Sequence, residues 1–300
     1  MKQPNPGMNA VVRGGGLARL ARVARPEVPP GWVALRVLLA GICRTDLYAA
    51  DGALPVAEGR ILGHELVGEL APGERATVSP VLPCGACAAC GSGLRCCAPK
   101  MLGVGVDGGF AEYVIVPEAC VHRVPGDLPL RRAAYVEPVA ASLAVLRAPI
   151  RSEQRGLVLG AGRITSLTTR ILQRHGFSRL TTCDVDAPLD EGAFDFVVET
   201  AATSDVLDAA LRAVRPGGVV VLKSRPPHRT SIDIARAVQK DVTLAAVAYA
   251  AFDEAIALVA ELDVDDLLGD AFRLERFEAA FARAREPGSP KVFLAPGGEA

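Results

Sequence analysis

Residues 155–176 read RGLVLGAGRITSLTTRILQRHG. An apolar run ends in Gly160-Ala161-Gly162, and apolar residues then recur at helical spacing at Ile164, Leu167, Ile171 and Leu172. The pattern predicts a strand, a tight turn and a helix closed by Gly176. In such a unit Gly160 shapes the turn, and Gly162 lets backbone N–H groups at the helix N-terminus approach a pyrophosphate. Thr165 stands where the fingerprint has its third glycine. That glycine serves helix–strand packing, so its loss weakens the match without removing the phosphate-binding groups. Asp184 follows roughly 20 residues on, at the end of the next strand, where an acid accepts hydrogen bonds from an adenosine ribose. A carboxylate there repels a 2′-phosphate, which favours NAD over NADP. On these residues alone, a plain α/β turn with a surface aspartate remains an alternative.

Outward from this unit the β/α alternation continues. RLTTCDVD (179–186) and FDFVVET (194–200) read as strands. SDVLDAALRAVRPGG (204–218) reads as a helix with Ser204 as N-cap and Pro216-Gly217 at its end, and VVVLKS (219–224) is the next strand. The fold class is α/β, with a doubly wound parallel sheet. Only APLDEGA (187–193) separates the second strand from the next, too little for a helix and a further strand. The half-unit is therefore shortened, and the strand lost is the outer edge of the 3-2-1-4-5-6 order. Before residue 140 the character differs: short β-rich segments such as GWVALRVLLAG (31–41) and RATVSPVL (75–82) are separated by Pro and Gly.

Three hundred residues suffice for two domains, and a chain half apolar and 22% charged has ample core. The formal net charge of −1 gives no electrostatic reason to expect nucleic acid or an anionic membrane as partner. The start, MKQPNPGMNA, has no apolar stretch of signal-peptide type, and the longest apolar run, Val242–Phe252, is too short to span a bilayer. The expected location is the cytoplasm.

Five of the eight cysteines lie in CGACAACGSGLRCC, Cys84 to Cys97. In a reducing compartment this spacing points to metal rather than disulfides or incidental thiols. Cys84, Cys87 and Cys90 place three thiolates on one turn, and a fourth closes a tetrahedron with no open position, a structural zinc site. Either Cys96 or Cys97 supplies the fourth ligand; Cys97 is favoured. Other ligand types are scattered: Cys43 in GICRTDLY, His64 and Glu65 in LGHELVGE, Glu137 in YVEPVAA. Thiolate, imidazole and carboxylate from separate loops suit a catalytic zinc that keeps a position for water or substrate. Taken singly, each has an ordinary reading as a buried residue or a surface pair.

In order, GICRTD, GHE, C-x2-C-x2-C, EPVA and the glycine turn resemble the zinc-dependent medium-chain alcohol dehydrogenase family, from MNAVVRGGG to PKVFLAPGG. Glu137 in EPVA is similar to the polyol, sugar and threonine dehydrogenase branch. The resemblance implies a GroES-like β domain (1–138 and 274–300) carrying a zinc lobe (84–97). It implies a Rossmann domain (139–273) and an active site in the cleft between the two. It implies Cys43 and His64 as catalytic zinc ligands, with Glu65 and Glu137 as the site's carboxylates, bound directly or through water. Thr45 matches the proton-relaying hydroxyl, Asp46 an acid behind His64, and Arg44 a pyrophosphate contact. Cys84, Cys87, Cys90 and Cys97 match the structural zinc ligands. The implied cofactors are zinc and NAD, and the substrate is a small secondary alcohol or its ketone. A homodimer or homotetramer is implied, with VTLAAVAYAAF (242–252) either an intersubunit strand or a core element.

The chain departs from the family pattern in places. The interval after Cys90 is short, Tyr48 stands where some members have a histidine of the proton relay, and GELAPGERATV (68–78) is abbreviated. A non-catalytic relative that keeps the fold as a nucleotide-binding or scaffold protein is the alternative. A zinc-independent reductase of the same fold conflicts with the GHE and EPVA motifs.

Overall fold

The computed structural model describes residues 7–91 and 96–298. The chain forms two compact units: one runs to Glu137 and resumes at Leu268, and the other is Pro138–Leu267.

The first unit contains β1 (Gly7–Gly14), β2 (Leu17–Ala24), β3 (Trp32–Gly41), α1 (Arg44–Ala50), β4 (Glu65–Ala71), β5 (Glu74–Val78), β6 (Val81–Leu82), α2 (Ala88–Gly91), β7 (Lys100–Met101), β8 (Tyr113–Pro117), β9 (Val121–Arg123) and α3 (Leu130–Ala134). α4 (Val136–Leu143) leads out of it. The second unit holds β10 (Gly156–Leu159), α5 (Arg163–Arg174), β11 (Leu180–Cys183), β12 (Phe194–Glu199), α6 (Ser204–Ala213), β13 (Val214–Leu222), α7 (Ile234–Gln239), β14 (Thr243–Ala246) and α8 (Phe252–Glu261). β15 (Leu268–Arg273), α9 (Phe277–Arg285) and β16 (Lys291–Ala295) complete the first unit.

In the first unit the main sheet runs β15-β16-β3-β4-β5-β9, with β8 also paired to β3. Leu35, Leu62, Leu66, Leu102 and Phe110 fill its core, and Phe281 from α9 meets Phe110 edge-on at 6.0 Å between ring centroids. Because β15 pairs in parallel with β16, the return begins at Leu268, not at the expected Leu274. Leu268, Ala271, Phe272 and Arg273 pair with β16, which places the strand in this sheet. At the other boundary the first unit ends at Glu137, one residue before the expected 138.

The second unit's sheet is wholly parallel, in the order β11-β10-β12-β13-β14. Its apolar strands are covered on both faces. Leu157, Leu159 and Val197 pack with α6, while Val158, Phe196 and Val198 face Leu172 and Phe177 in the opposite layer. Phe177 and Phe196 stack edge-on at 5.7 Å. The order is that of a doubly wound sheet lacking its third strand, so β11 becomes the edge. Thr181 and Thr182 are exposed there, and Thr182 bonds the Thr169 hydroxyl of α5 at 3.1 Å.

Two local expectations differ. The N-cap of α6 is Thr203, not Ser204, because the Thr203 hydroxyl accepts the Val206 N–H at 3.3 Å. Pro216-Gly217 does not end α6, which stops at Ala213; the pair lies within β13. The Lys240 ammonium takes that role, donating to the carbonyls of Leu211 (2.7 Å), Arg212 (3.0 Å) and Val214. The segment 242–252 contributes β14, an edge strand with Leu244 exposed, rather than a core element. Among the described residues no helix is long and apolar enough to cross a membrane.

Candidate active site

The first centre is built where β3 ends and α1 begins. Cys43 is the N-cap of α1, in extended backbone, and its N–H donates to Asp46 Oδ2 at 2.8 Å. The cap fixes the thiol at the helix mouth and turns Asp46 inward, 1% exposed. Asp46 Oδ1 then accepts the Gly63 N–H at 3.2 Å and faces His64 Nδ1 at 3.1 Å. With Nδ1 engaged, Nε2 is the nitrogen left for a ligand role. Gly63 makes this approach possible: its φ is +96°, and a Cβ there would lie 2.5 Å from the Phe110 ring.

Cys43, His64 and Glu65 each offer a ligand atom, and these atoms lie within 4.8 Å of one another. Burial pulls the His64 pKa down, but the adjacent Asp46 and Cys43 outweigh it and hold the imidazole well above its ordinary value. A site that concentrates negative charge on a buried imidazole is one that suits a cation. Thiolate, imidazole and carboxylate are the donor types of a catalytic zinc, and three protein ligands leave a fourth position open. The residues present therefore fit zinc. Thr45 Oγ1 lies 3.8 Å from Cys43 Sγ, and Tyr48 is half-buried one turn along α1. Arg44, in the first turn of α1, is exposed.

Glu137 lies in the first turn of α4. It is buried in α4, but it is not in the group of converging ligand atoms. The resemblance implies Glu137 as a carboxylate of the site, bound directly or through water; the ligand atoms within 4.8 Å of one another are those of Cys43, His64 and Glu65.

The residue that sequence reading missed is Lys291. Its ammonium forms an ion pair with Glu65 Oε2 and donates to the Ile42 carbonyl at 2.9 Å. Both side chains of the pair are 3% exposed. Gly41 makes room for them, since a Cβ there would lie 2.6 Å from Glu65 Oε2 and 2.7 Å from Lys291 Cε. The only signal in the sequence is a lone lysine heading the apolar run VFLA, which does not announce a site across the chain from Glu65.

The second centre is the cysteine lobe. Cys84, Cys87, Cys90 and Cys96 bring their sulfurs together. Cys87 and Cys90 are 3.4 Å apart, Cys84 and Cys90 3.8 Å, and Cys87 and Cys96 4.0 Å. Four sulfurs about 2.3 Å from one zinc ion would stand about 3.8 Å apart, so the cluster has the dimensions of a closed tetrahedron. The Cys97 N–H leads in holding the Cys87 thiol down at about 5, and the Cys87 thiol leads in pushing Cys90 up to about 12. The thiols thus share protons that a divalent cation would replace. The favoured fourth ligand, Cys97, is corrected to Cys96. The group of converging sulfurs takes Cys96, whereas Cys97 is exposed, its thiol beside that of Cys87. Residues 92–95 of the lobe lie outside the described residues. A Cys96→Ser chain is accordingly expected to lose one bound zinc, and Cys97→Ser to lose none. Metal analysis of the two purified variants checks this.

In the second unit the glycine turn stands at the carboxyl end of β10. Gly160 has φ +132°, and a Cβ on it would lie 2.2 Å from Thr200 Oγ1; Gly162 has φ +89° and open space where its Cβ would be. Gly162 caps α5 with no side-chain acceptor of its own, as suits a helix N-terminus that receives a phosphate. Thr165 is 2% exposed, and its hydroxyl meets that of Thr200 at 2.8 Å, which in turn donates to the Leu159 carbonyl at 3.0 Å. A hydroxyl pair thus replaces the close packing that the third glycine of the fingerprint gives. Asp184 follows the end of β11, exposed, with Oδ1 accepting the Val185 N–H at 2.7 Å. The turn and the acid fit the pyrophosphate and ribose of a dinucleotide.

Comparison with known proteins gives the family of the chain. Residues 29–126 match the alcohol dehydrogenase GroES-like domain. The chain is 32% identical over 249 residues to D-altritol 5-dehydrogenase of Agrobacterium fabrum, covering 69% of this chain and 73% of that one. It is 29% identical over 327 aligned positions to L-threonine 3-dehydrogenase of Streptomyces avermitilis, covering 92% and 95%. A protein of Sinorhizobium meliloti described as a zinc-binding dehydrogenase, solved with NADP, superposes with a TM-score of 0.86 at 25% identity, covering 97% of this chain and all of that one. These likenesses support a catalytic dehydrogenase rather than a non-catalytic scaffold. The chain belongs to the zinc-dependent medium-chain alcohol dehydrogenase family, in its polyol and threonine dehydrogenase branch, and is an enzyme of hydride transfer with a nicotinamide cofactor.

Proposed function

We propose that this enzyme oxidises a secondary alcohol of a small polar metabolite, a polyol, sugar or hydroxy amino acid, with NAD as hydride acceptor. The observation that carries the reading is the convergence of Cys43, His64 and Glu65 on one point, braced by Asp46. The names of the altritol and threonine dehydrogenases to which it is similar place their reactions at secondary carbinol carbons. When bound, zinc acidifies the alcohol hydroxyl and nicotinamide accepts the hydride.

The chain's residues supply position and a path for the proton. Cys43, His64 and Glu65 hold the catalytic ion, and Asp46 keeps His64 in the tautomer that can do so. Lys291 orients Glu65. Thr45 Oγ1, beside the Cys43 sulfur, receives the proton of the alcohol. Tyr48, one turn along α1, carries a hydroxyl that can both accept and donate a proton in the onward path. Cys84, Cys87, Cys90 and Cys96 hold a second ion that clips the lobe.

Asp184 supports NAD over NADP, because its carboxylate would stand against a 2′-phosphate. The unpaired edge of β14, with Leu244 exposed, supports a homodimer formed through that strand. The clustered thiols suit a reducing compartment, the cytoplasm.

The test is turnover of a panel of polyols, sugars and hydroxy amino acids followed by reduced-cofactor absorbance, with NAD and NADP in parallel. The expected result is reduction of NAD, with NADP at least about tenfold less efficient; Asp184→Ala should narrow that ratio. Equal use of both cofactors would remove the assigned role of Asp184. No reduction of either cofactor with any alcohol would overturn the reading.

A further inference from the structure

Glu199 ends β12 and is fully buried, 0% exposed. Its Oε1 accepts two backbone N–H groups, from Lys223 and Ser224, each at 2.7 Å. Those two residues are the first beyond β13. Its Oε2 is buried with no hydrogen-bond partner among the described residues. A carboxylate at the end of an apolar parallel strand is costly, and a neutral side chain would serve packing better. The pair of bonds shows what this one holds: the chain leaving β13 is tied to the end of β12.

Position gives that tie a purpose. In a doubly wound sheet a dinucleotide lies across the carboxyl ends of the strands, at the point where strand order reverses. Here the reversal falls between β10 and β12. Asp184, after β11, and the Gly160 turn, after β10, mark the adenosine and pyrophosphate side. The other half of the dinucleotide then falls over the ends of β12 and β13, where Glu199, Lys223 and Ser224 stand. The neighbouring residue, Thr200, ties the opposite side, through Thr165 and the Leu159 carbonyl.

The geometry points to Glu199 as a positioning residue that fixes the backbone at Lys223–Ser224 for the nicotinamide half of the cofactor. It acts through that backbone and not by touching the cofactor. The inference rests on the nicotinamide-cofactor reading given above.

The test measures binding of NADH and of AMP to the full zinc-loaded chain, by NADH fluorescence and by calorimetry. Glu199→Ala is expected to weaken NADH binding about 10- to 100-fold, the loss of two bonds to a charged acceptor. AMP, which lacks the nicotinamide half, should bind within about twofold of wild type. Glu199→Gln keeps an oxygen for the two N–H groups and should recover most of the NADH affinity. Glu199→Asp, one methylene short, should lie between and serves if the alanine chain does not fold. Unchanged NADH binding in the alanine or aspartate chain would overturn the inference. So would an equal loss of NADH and AMP, which would mark a general packing role. A wild-type chain that binds neither nucleotide would overturn the cofactor reading itself, and this inference with it.

Discussion

A Cys43→Ala chain is expected to lose at least about a thousandfold in kcat/KM, because the ion's share of transition-state stabilisation is several kcal/mol. The fold should survive. Cys43 is only half-buried, and its backbone N–H, which bonds Asp46, is untouched by the substitution. What disappears is the one thiolate of the Cys43–His64–Glu65 set, leaving an imidazole and a carboxylate that bind a borderline-soft ion far less well. Metal analysis should show one zinc where wild type holds two, with the cysteine lobe still loaded. A chain with full turnover would remove the assignment of the catalytic ion to this set.

Lys291→Met is expected to destabilise the chain by about 3–5 kcal/mol, the cost of leaving one partner of a buried ion pair without the other. Lys291 and Glu65 are each 3% exposed, so water cannot replace the missing ammonium. The Ile42 carbonyl also loses its donor. The damage should exceed instability. Glu65 has been held between the ligand group and Lys291; without the ammonium its carboxylate charge is unopposed except by a metal ion. Zinc should therefore protect the variant against urea more than it protects wild type, since binding to the folded state adds directly to stability. Urea unfolding with and without zinc, in both chains, checks this. Equal protection would mean that Lys291 does not bear on the metal site.

Much of the architecture was legible because its signals are local. The run GLVLGAG and the periodicity of Leu167, Ile171 and Leu172 dictate the β10–turn–α5 unit, and ten residues between β11 and β12 leave no room for a third strand. Cys84, Cys87 and Cys90 announce a thiolate cluster by spacing alone. What sequence could not resolve were choices decided in three dimensions. Cys96 and Cys97 are adjacent and chemically identical, and only the fold groups Cys96 with the other three sulfurs. Glu137 has the right chemistry, yet α4 does not bring it into the group of ligand atoms. Lys291 is separated from Glu65 by most of the chain, and they meet because β16 and β4 flank β3 on either side. The end of α6 was misread for a similar reason: Pro-Gly is a helix stop in sequence, but a distant lysine reached the helix carbonyls first.

The central claim is that Cys43, His64 and Glu65 hold a zinc ion separate from the one in the cysteine lobe. X-ray absorption at the zinc edge, on wild type and on Cys96→Ser, tests it most directly. Two zinc ions are expected in wild type and, when the lobe is emptied, a remaining ion with one sulfur among nitrogen and oxygen ligands. A remaining ion surrounded only by sulfur, or no zinc left at all, would contradict it.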